Sequence, residues 1–177
     1  MPREDSVNNN FQKQAGFTLI EMLIVIVVLG IIAMIIVPQI SVSSEDATLR
    51  AFQTNLNSLR KAVEIYHKQH DDTYPGFHNT SGVPANSGTS KTAFIAQLVK
   101  YTAIDGAVSD TKDTTHKFGP YIKGGVLPTN PYNQKNKVVC DIDETNITVR
   151  VSSGTTGWKF YNITGVLIAN DGGHDDL

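Results

Sequence analysis

The sequence predicts an α+β protein. A long N-terminal helix, membrane-spanning in its first half and amphipathic in its second, packs on a small antiparallel sheet of three to four strands. Three observations predict this. An unbroken apolar run covers Phe17 to Val37. Behind it, apolar residues recur at helical spacing as far as Tyr66. Past a turn cluster at 71–76, short β-branched and aromatic runs alternate with Gly, Asn and Pro. Four segments follow: a polar leader at 1–16, an apolar helix at 17–37, an amphipathic spine at 38–70 and a globular α+β domain at 71–177.

The totals narrow the class. With 177 residues and a formal net charge of −2, the chain shows no basic bias toward nucleic acid, and no nucleic-acid partner is expected. The single cysteine, Cys140, rules out an intrachain disulfide and reads as a small half-buried apolar residue beside Val138 and Val139.

The leader, MPREDSVNNNFQKQAG, is polar and has no apolar run of its own. An ordinary secretory signal places its small residues after the apolar stretch. Here Ala15-Gly16 precedes it, so cleavage at that point removes the leader and keeps the helix. Arg3 and Lys13 favour a cytoplasmic leader, diluted by Glu4 and Asp5.

From Phe17 to Val37 the only polar side chains are Thr18 and Glu21. At about 1.5 Å per residue the run makes a helix of roughly 31 Å, against a hydrocarbon core of about 30 Å. A single membrane span is the reading. Glu21 is its anomaly, because an intramembrane carboxylate is costly and normally faces a partner, a cavity or a proton path. A second reading puts it near the helix end, reaching the headgroups. Gly30 weakens the helix and Pro38 removes one of its hydrogen bonds, so a bend at the membrane exit is expected.

The stretch Lys13-Gln14-Ala15-Gly16-Phe17-Thr18-Leu19-Ile20-Glu21 closely resembles the processing motif of type IV pilins and type II secretion pseudopilins. The resemblance implies cleavage between Gly16 and Phe17 by a prepilin peptidase, and N-methylation of Phe17. It makes Glu21 the fifth mature residue and gives Gly30 and Pro38 counterparts in the related filaments. The new Phe17 amine, with a pKa of about 7.7 to 8.0 in water, is then available to the Glu21 carboxylate of a staggered neighbour. Glu21 would set the register of the polymer, and cleavage would license assembly.

Beyond Pro38, Leu49, Phe52, Leu56, Leu59, Val63 and Tyr66 form one apolar helical stripe, with Ile65 the exception on the polar face. Ser44 before Glu45-Asp46 could start a fresh helix, but a continuous one kinked at Pro38 fits better. Asp71-Asp72-Thr73-Tyr74-Pro75-Gly76 ends it near His70. Residues 76–90 read as loop. Ser90 to Tyr101 reads as a short helix capped by Ser90, and residues 102–118 as a mobile surface stretch. The Leu127-Pro128-x-x-Pro131-Tyr132 run, similar to the approach to the sheet in the major pseudopilin, reads as a rigid loop. Strands are expected at 138–142, 147–151, 158–163 and 166–169, the last two joined as a hairpin through 162–165.

Two clusters could bind metal. His67 and His70 lie three apart beside Asp71 and Asp72, but no further zinc ligand is identifiable. At the C-terminus, Asp171, Asp175 and Asp176 surround glycines, a composition that suits Ca²⁺. The major pseudopilins carry a calcium loop here, with an Asp-Gly and a later Asp-Asp that these residues resemble, although the intervening loop is shorter in this chain. The alternative is a solvated acidic tail. No phosphate-cradling loop and no local nucleophile–base signature is present, so no enzymatic activity is expected.

Within the family the chain resembles the major, G-type pseudopilin. The absent disulfide, short globular part, Leu-Pro-x-x-Pro run and acidic tail favour it over a surface type IV pilus subunit serving adhesion, motility or DNA uptake. A membrane-anchored periplasmic enzyme or binding domain accounts for the span but not for Glu21. The reading implies a bacterial inner-membrane protein, its N-terminus cytoplasmic before cleavage and its C-terminal domain periplasmic. The partners it implies are further copies of itself, minor pseudopilins, an inner-membrane assembly platform and the prepilin peptidase/N-methyltransferase.

Overall fold

The computed structural model describes residues 16–176, with the side chains of 35–43 excepted. The expected leader as far as Ala15, Arg3 and Lys13 included, lies outside the described residues, as does the Pro38 ring. The element order is α1 (Leu19–Gln69), α2 (Ser87–Val99), β1 (Tyr101–Thr102), β2 (Val108–Ser109), β3 (Val138–Asp141), β4 (Trp158–Tyr161) and β5 (Leu167–Ala169). The chain divides into two compact units, residues 1–44 and 45–177, and α1 is assigned across the division without interruption. No fresh start occurs at Ser44.

In the first unit the helix begins two residues later than the apolar run. Every large apolar side chain described from Phe17 to Met34 is exposed, Phe17 at 81% and Leu19 at 86%. A helix apolar all round has no solvated face to offer and calls for lipid or other helices. Among the described residues no helix is long and apolar enough to cross a membrane. The run whose side chains are described, Leu19 to Met34, falls short of the roughly 18 residues a span needs.

The second unit forms around the expected stripe. Phe52, Leu56, Leu59, Val63 and Tyr66 are each at most 2% exposed, and Ala62 joins them. His70, one turn beyond Tyr66, continues the buried row, while Ile65 on the other face is 51% exposed. Against this row pack Phe94 and Leu98 from α2, Val138, Trp158 and Phe160 from β3 and β4, and Leu167 and Ala169 from β5. Arg60 reaches across from α1 and donates twice to the Leu167 carbonyl, at 3.2 and 3.1 Å.

The sheet corrects the all-antiparallel expectation. Strand order is β3-β4-β5, with β4 and β5 antiparallel but β3 and β4 parallel, Val138 opposite Trp158. A parallel pair cannot be joined by a hairpin, and residues 142–157 make the crossover. The strand expected at 147–151 lies there and is irregular. The Val151 N–H donates to the Tyr161 hydroxyl, and Arg150 Nη1 donates to the carbonyls of Ile147 and Val149. Those backbone groups are satisfied by side chains, so no ladder forms. Ile147 and Val151 face solvent.

The β4–β5 hairpin turns as expected through 162–165. Gly165 has φ +72°, and an added Cβ there would collide with the Tyr74 ring, so the turn is built tightly over the helix end. α2 starts three residues earlier than expected. Its cap is Asn86, which accepts from the Gly88 and Thr89 N–H groups while Thr89 returns the bond. Ser90 is instead buried and donates to the Gly76 carbonyl. Residues 102–118 hold β2 and part of β1, bridged at Thr102–Phe118. The buried Gln97 fastens the Gly106 and His78 carbonyls and the Gly76 N–H.

Candidate processing and assembly site

Gly16 and Phe17 are exposed and precede the first helical turn, and among the described residues nothing lies within 4 Å of the space a Gly16 Cβ would fill. The bond between them is therefore in open, irregular chain, the form a peptidase can grip. Thr18 occupies the N-cap position. Its N–H donates to Glu21 Oε2 at 2.7 Å, its hydroxyl donates to the same oxygen at 2.8 Å, and the Glu21 N–H donates back to that hydroxyl at 3.2 Å. This is a reciprocal capping box, Thr-x-x-Glu at the head of an apolar run. The pattern was readable in the sequence, and Thr18 belongs to the site beside Glu21.

The consequence for Glu21 is directional. Both bonds from Thr18 fall on Oε2, and among the described residues Oε1 receives none. An ionised carboxylate has about four acceptor positions. Thr18 thus holds the side chain against the helix N-terminus while the residue stays exposed. Gly30 leaves an open notch on the helix surface, with nothing among the described residues of its own unit within 4 Å of the space a Cβ would fill. At Pro38 the backbone is helical.

The histidine pair does not converge. The His67 ring stacks on Tyr74 at 3.9 Å, and its Nε2 lies 3.6 Å from Asp72. His70, 1% exposed, donates from Nδ1 to the Tyr66 carbonyl at 2.8 Å and accepts at Nε2 from the Thr102 hydroxyl at 3.0 Å. Both ring nitrogens are spent within the fold, leaving none for zinc.

The three C-terminal carboxylates are also separated in role. Asp171 is nearly buried, its side chain 4% exposed. Asp175 accepts from the Ser152 N–H at 3.1 Å, and Asp176 is exposed. Burial alone would raise the Asp171 pKa, but the Asn130 amide, the Gly173 N–H and His174 hold it below the ordinary carboxylate range. The His174 ring lies flat on Tyr132 at 3.6 Å, and Tyr132 meets Phe52 edge-on at 5.3 Å. Asn130 and His174 had no signal in the sequence. Among the described residues no three His, Cys, Asp or Glu side chains gather as metal ligands would.

Comparison with known proteins bears on the N-terminus and on the whole chain. Residues 11–37 match the family model described as the prokaryotic N-terminal methylation motif. Over 90% of its length the chain is 28% identical to the type II secretion system core protein G of Vibrio cholerae serotype O1, covering 92% of that protein. It is 38% identical to the core protein G of Klebsiella pneumoniae over 64 residues, which is 36% of this chain and 45% of that one. With the core protein G of Pectobacterium carotovorum it shares 33% identity over 72 residues, 41% of this chain and 46% of that one. The matched segment thus spans nearly all of the first relative and a little under half of the other two. No solved structure matches.

Proposed function

We propose that this chain, a member of the type IV pilin and type II secretion pseudopilin family, is the structural subunit of a secretion pseudopilus: it polymerises through its N-terminal helix into a short periplasmic filament that helps export folded proteins. The observation that carries the reading is the N-terminus itself. An exposed Gly16–Phe17 bond, a capped and exposed Glu21, and a helix whose described apolar side chains are exposed form one continuous assembly element. The relatives named as secretion core proteins favour the secretion filament over a surface pilus.

The mechanism follows from charge. Before cleavage the Phe17 nitrogen is an uncharged amide, and among the described residues Glu21 has no cationic partner. Cleavage after Gly16 exposes an α-amine, which N-methylation leaves protonatable. In a stack of staggered helices that amine reaches the exposed Glu21 carboxylate of a neighbour. Each pairing removes two lone charges from a poorly solvated core, and a slipped register leaves both unpaired. Thr18 acts as a positioning residue, holding the carboxylate at the helix end. The subunit needs no catalytic group of its own. Its partners are further copies, minor pseudopilins, the inner-membrane platform and the prepilin peptidase, and it resides in the inner membrane until it enters the filament.

Mass spectrometry of the membrane-extracted protein tests the first step. The expected mature chain starts at Phe17 and is one methyl group heavier than its sequence. A chain still beginning at Met1, or trimmed beyond the apolar run, overturns the reading. Loss of secreted proteins from the medium on deletion, restored by the wild-type chain, tests the second. Unchanged secretion with lost surface pili would reassign the filament.

A further inference from the structure

The family's calcium loop sets an expectation for the C-terminal acids that the donor set around them does not meet. Ca²⁺ takes six to eight oxygen ligands. Asp171 Oδ1 instead accepts from the Gly173 N–H and the His174 N–H, both at 3.0 Å, and lies 3.2 Å from His174 Nδ1. Its Oδ2 accepts from Asn130 Nδ2 at 2.9 Å. Both oxygens are thus surrounded by N–H hydrogens, the positive ends of dipoles, where a cation would need lone pairs.

The neighbouring oxygens are engaged in the same way. Asn170 Oδ1 accepts from the Ser153 N–H at 2.6 Å and from the Ser152 hydroxyl at 3.1 Å. Its amide donates to Thr156 Oγ1 at 2.7 Å. The Gly172 N–H donates to Ser152 Oγ at 2.9 Å. Asn130 makes the remaining link, donating to the Gly157 carbonyl at 3.1 Å. Three loops far apart in sequence, around 130, 152–157 and 170–175, are joined through Asn130 and Asn170, and the buried Asp171 carboxylate accepts from Asn130, Gly173 and His174.

We propose that this chain closes its C-terminal loop with a hydrogen-bonded clasp, Asn130–Asp171–His174 braced by Asn170, in place of the bound Ca²⁺ that the family resemblance implies. Asn130 stands where a cation would otherwise satisfy the Asp171 carboxylate, and the His174 ring, flat on Tyr132, locks the loop against the spine. The proposal rests on the geometry of the domain alone and is independent of which filament the chain enters.

The test uses the mature full-length chain in detergent, followed by the fluorescence of its one tryptophan. Trp158 is fully buried in the core, so it reports unfolding of this domain. Thermal midpoints in millimolar Ca²⁺ and in EGTA are expected to coincide. A site filled at a hundred times its Kd would raise the midpoint by about 5 to 10 °C, and such a rise overturns the proposal. Asn130→Asp supplies the second arm. It sets a carboxylate oxygen against Asp171 Oδ2, so its midpoint should fall in EGTA and recover with Ca²⁺. A variant that melts like the wild type in EGTA would show that Asn130 does not close the loop.

Discussion

Acid should loosen this domain through His70, and the size of the effect can be worked out from its surroundings. The ring is buried at the end of the spine, stacked on Tyr66 at 3.7 Å and tilted against Phe118 at 5.1 Å. Its two hydrogen bonds define a neutral tautomer, Nδ1–H to a carbonyl and Nε2 from a hydroxyl. Burial lowers its pKa below the ordinary histidine value, outweighing the Tyr66 and Ala103 backbone groups and the nearby charges of Asp71 and Asp105, which push the other way. With the folded pKa below the unfolded one, the contribution of His70 is complete above about pH 6.5 and is lost as pH falls through that value toward the folded pKa. In that window one proton costs up to about 1.4 kcal/mol per pH unit, or about 3 to 5 °C of midpoint for a chain of this size. The assay is Trp158 fluorescence melting at pH 7.5, 6.5 and 5.5 for the wild type and His70→Gln. The chain has five histidines, and the difference between the two curves isolates this one. The variant should melt lower at neutral pH and show a shallower loss on acidification. Equal acid slopes for both proteins refute the argument.

At the N-terminus, Glu21→Val should be cleaved normally yet fail to form filaments, and Thr18→Val should lower filament yield while leaving the helix in place. Electron microscopy and shearing assays read both, and normal filaments from Glu21→Val would sink the pairing. In the core, Leu59→Ala deletes a fully buried side chain and should cost about 2 to 5 kcal/mol, lowering the midpoint by on the order of 10 °C. Burial pushes the Cys140 thiol up to about 12, so it should resist iodoacetamide at pH 8 in the folded protein and react once denaturant is added. Rapid labelling of the native chain would contradict its place beside the core.

What could be read from the sequence was whatever is encoded locally. The spine was legible because the 3,4 spacing of Phe52, Leu56, Leu59, Val63 and Tyr66 is enforced by burial of one helical face. The processing motif was legible for the same reason: Gly16 to Glu21 is contiguous, and even the Thr18 cap lay open in its spacing. The failures share a cause. Residues 147–151 have β-branched composition, but a Tyr161 hydroxyl and an Arg150 side chain take their backbone groups. β1 and β2 are two residues each and owe their place to partners such as Phe118 and Gln97. The Asp171 clasp draws on Asn130, 41 positions away, and no local pattern announces such a bond.

The position of the capping box has one more consequence. The first helical turn is closed by Thr18 and Glu21, and the backbone bond from Met22 ends on the Thr18 carbonyl, so among the described residues the links of that turn lie downstream of the Gly16–Phe17 peptide. Removing the leader can therefore change the electrical state of the terminus without unwinding the rod behind it. On the proposed reading, trimming the precursor acts as a switch on charge and leaves the first helical turn as it stands.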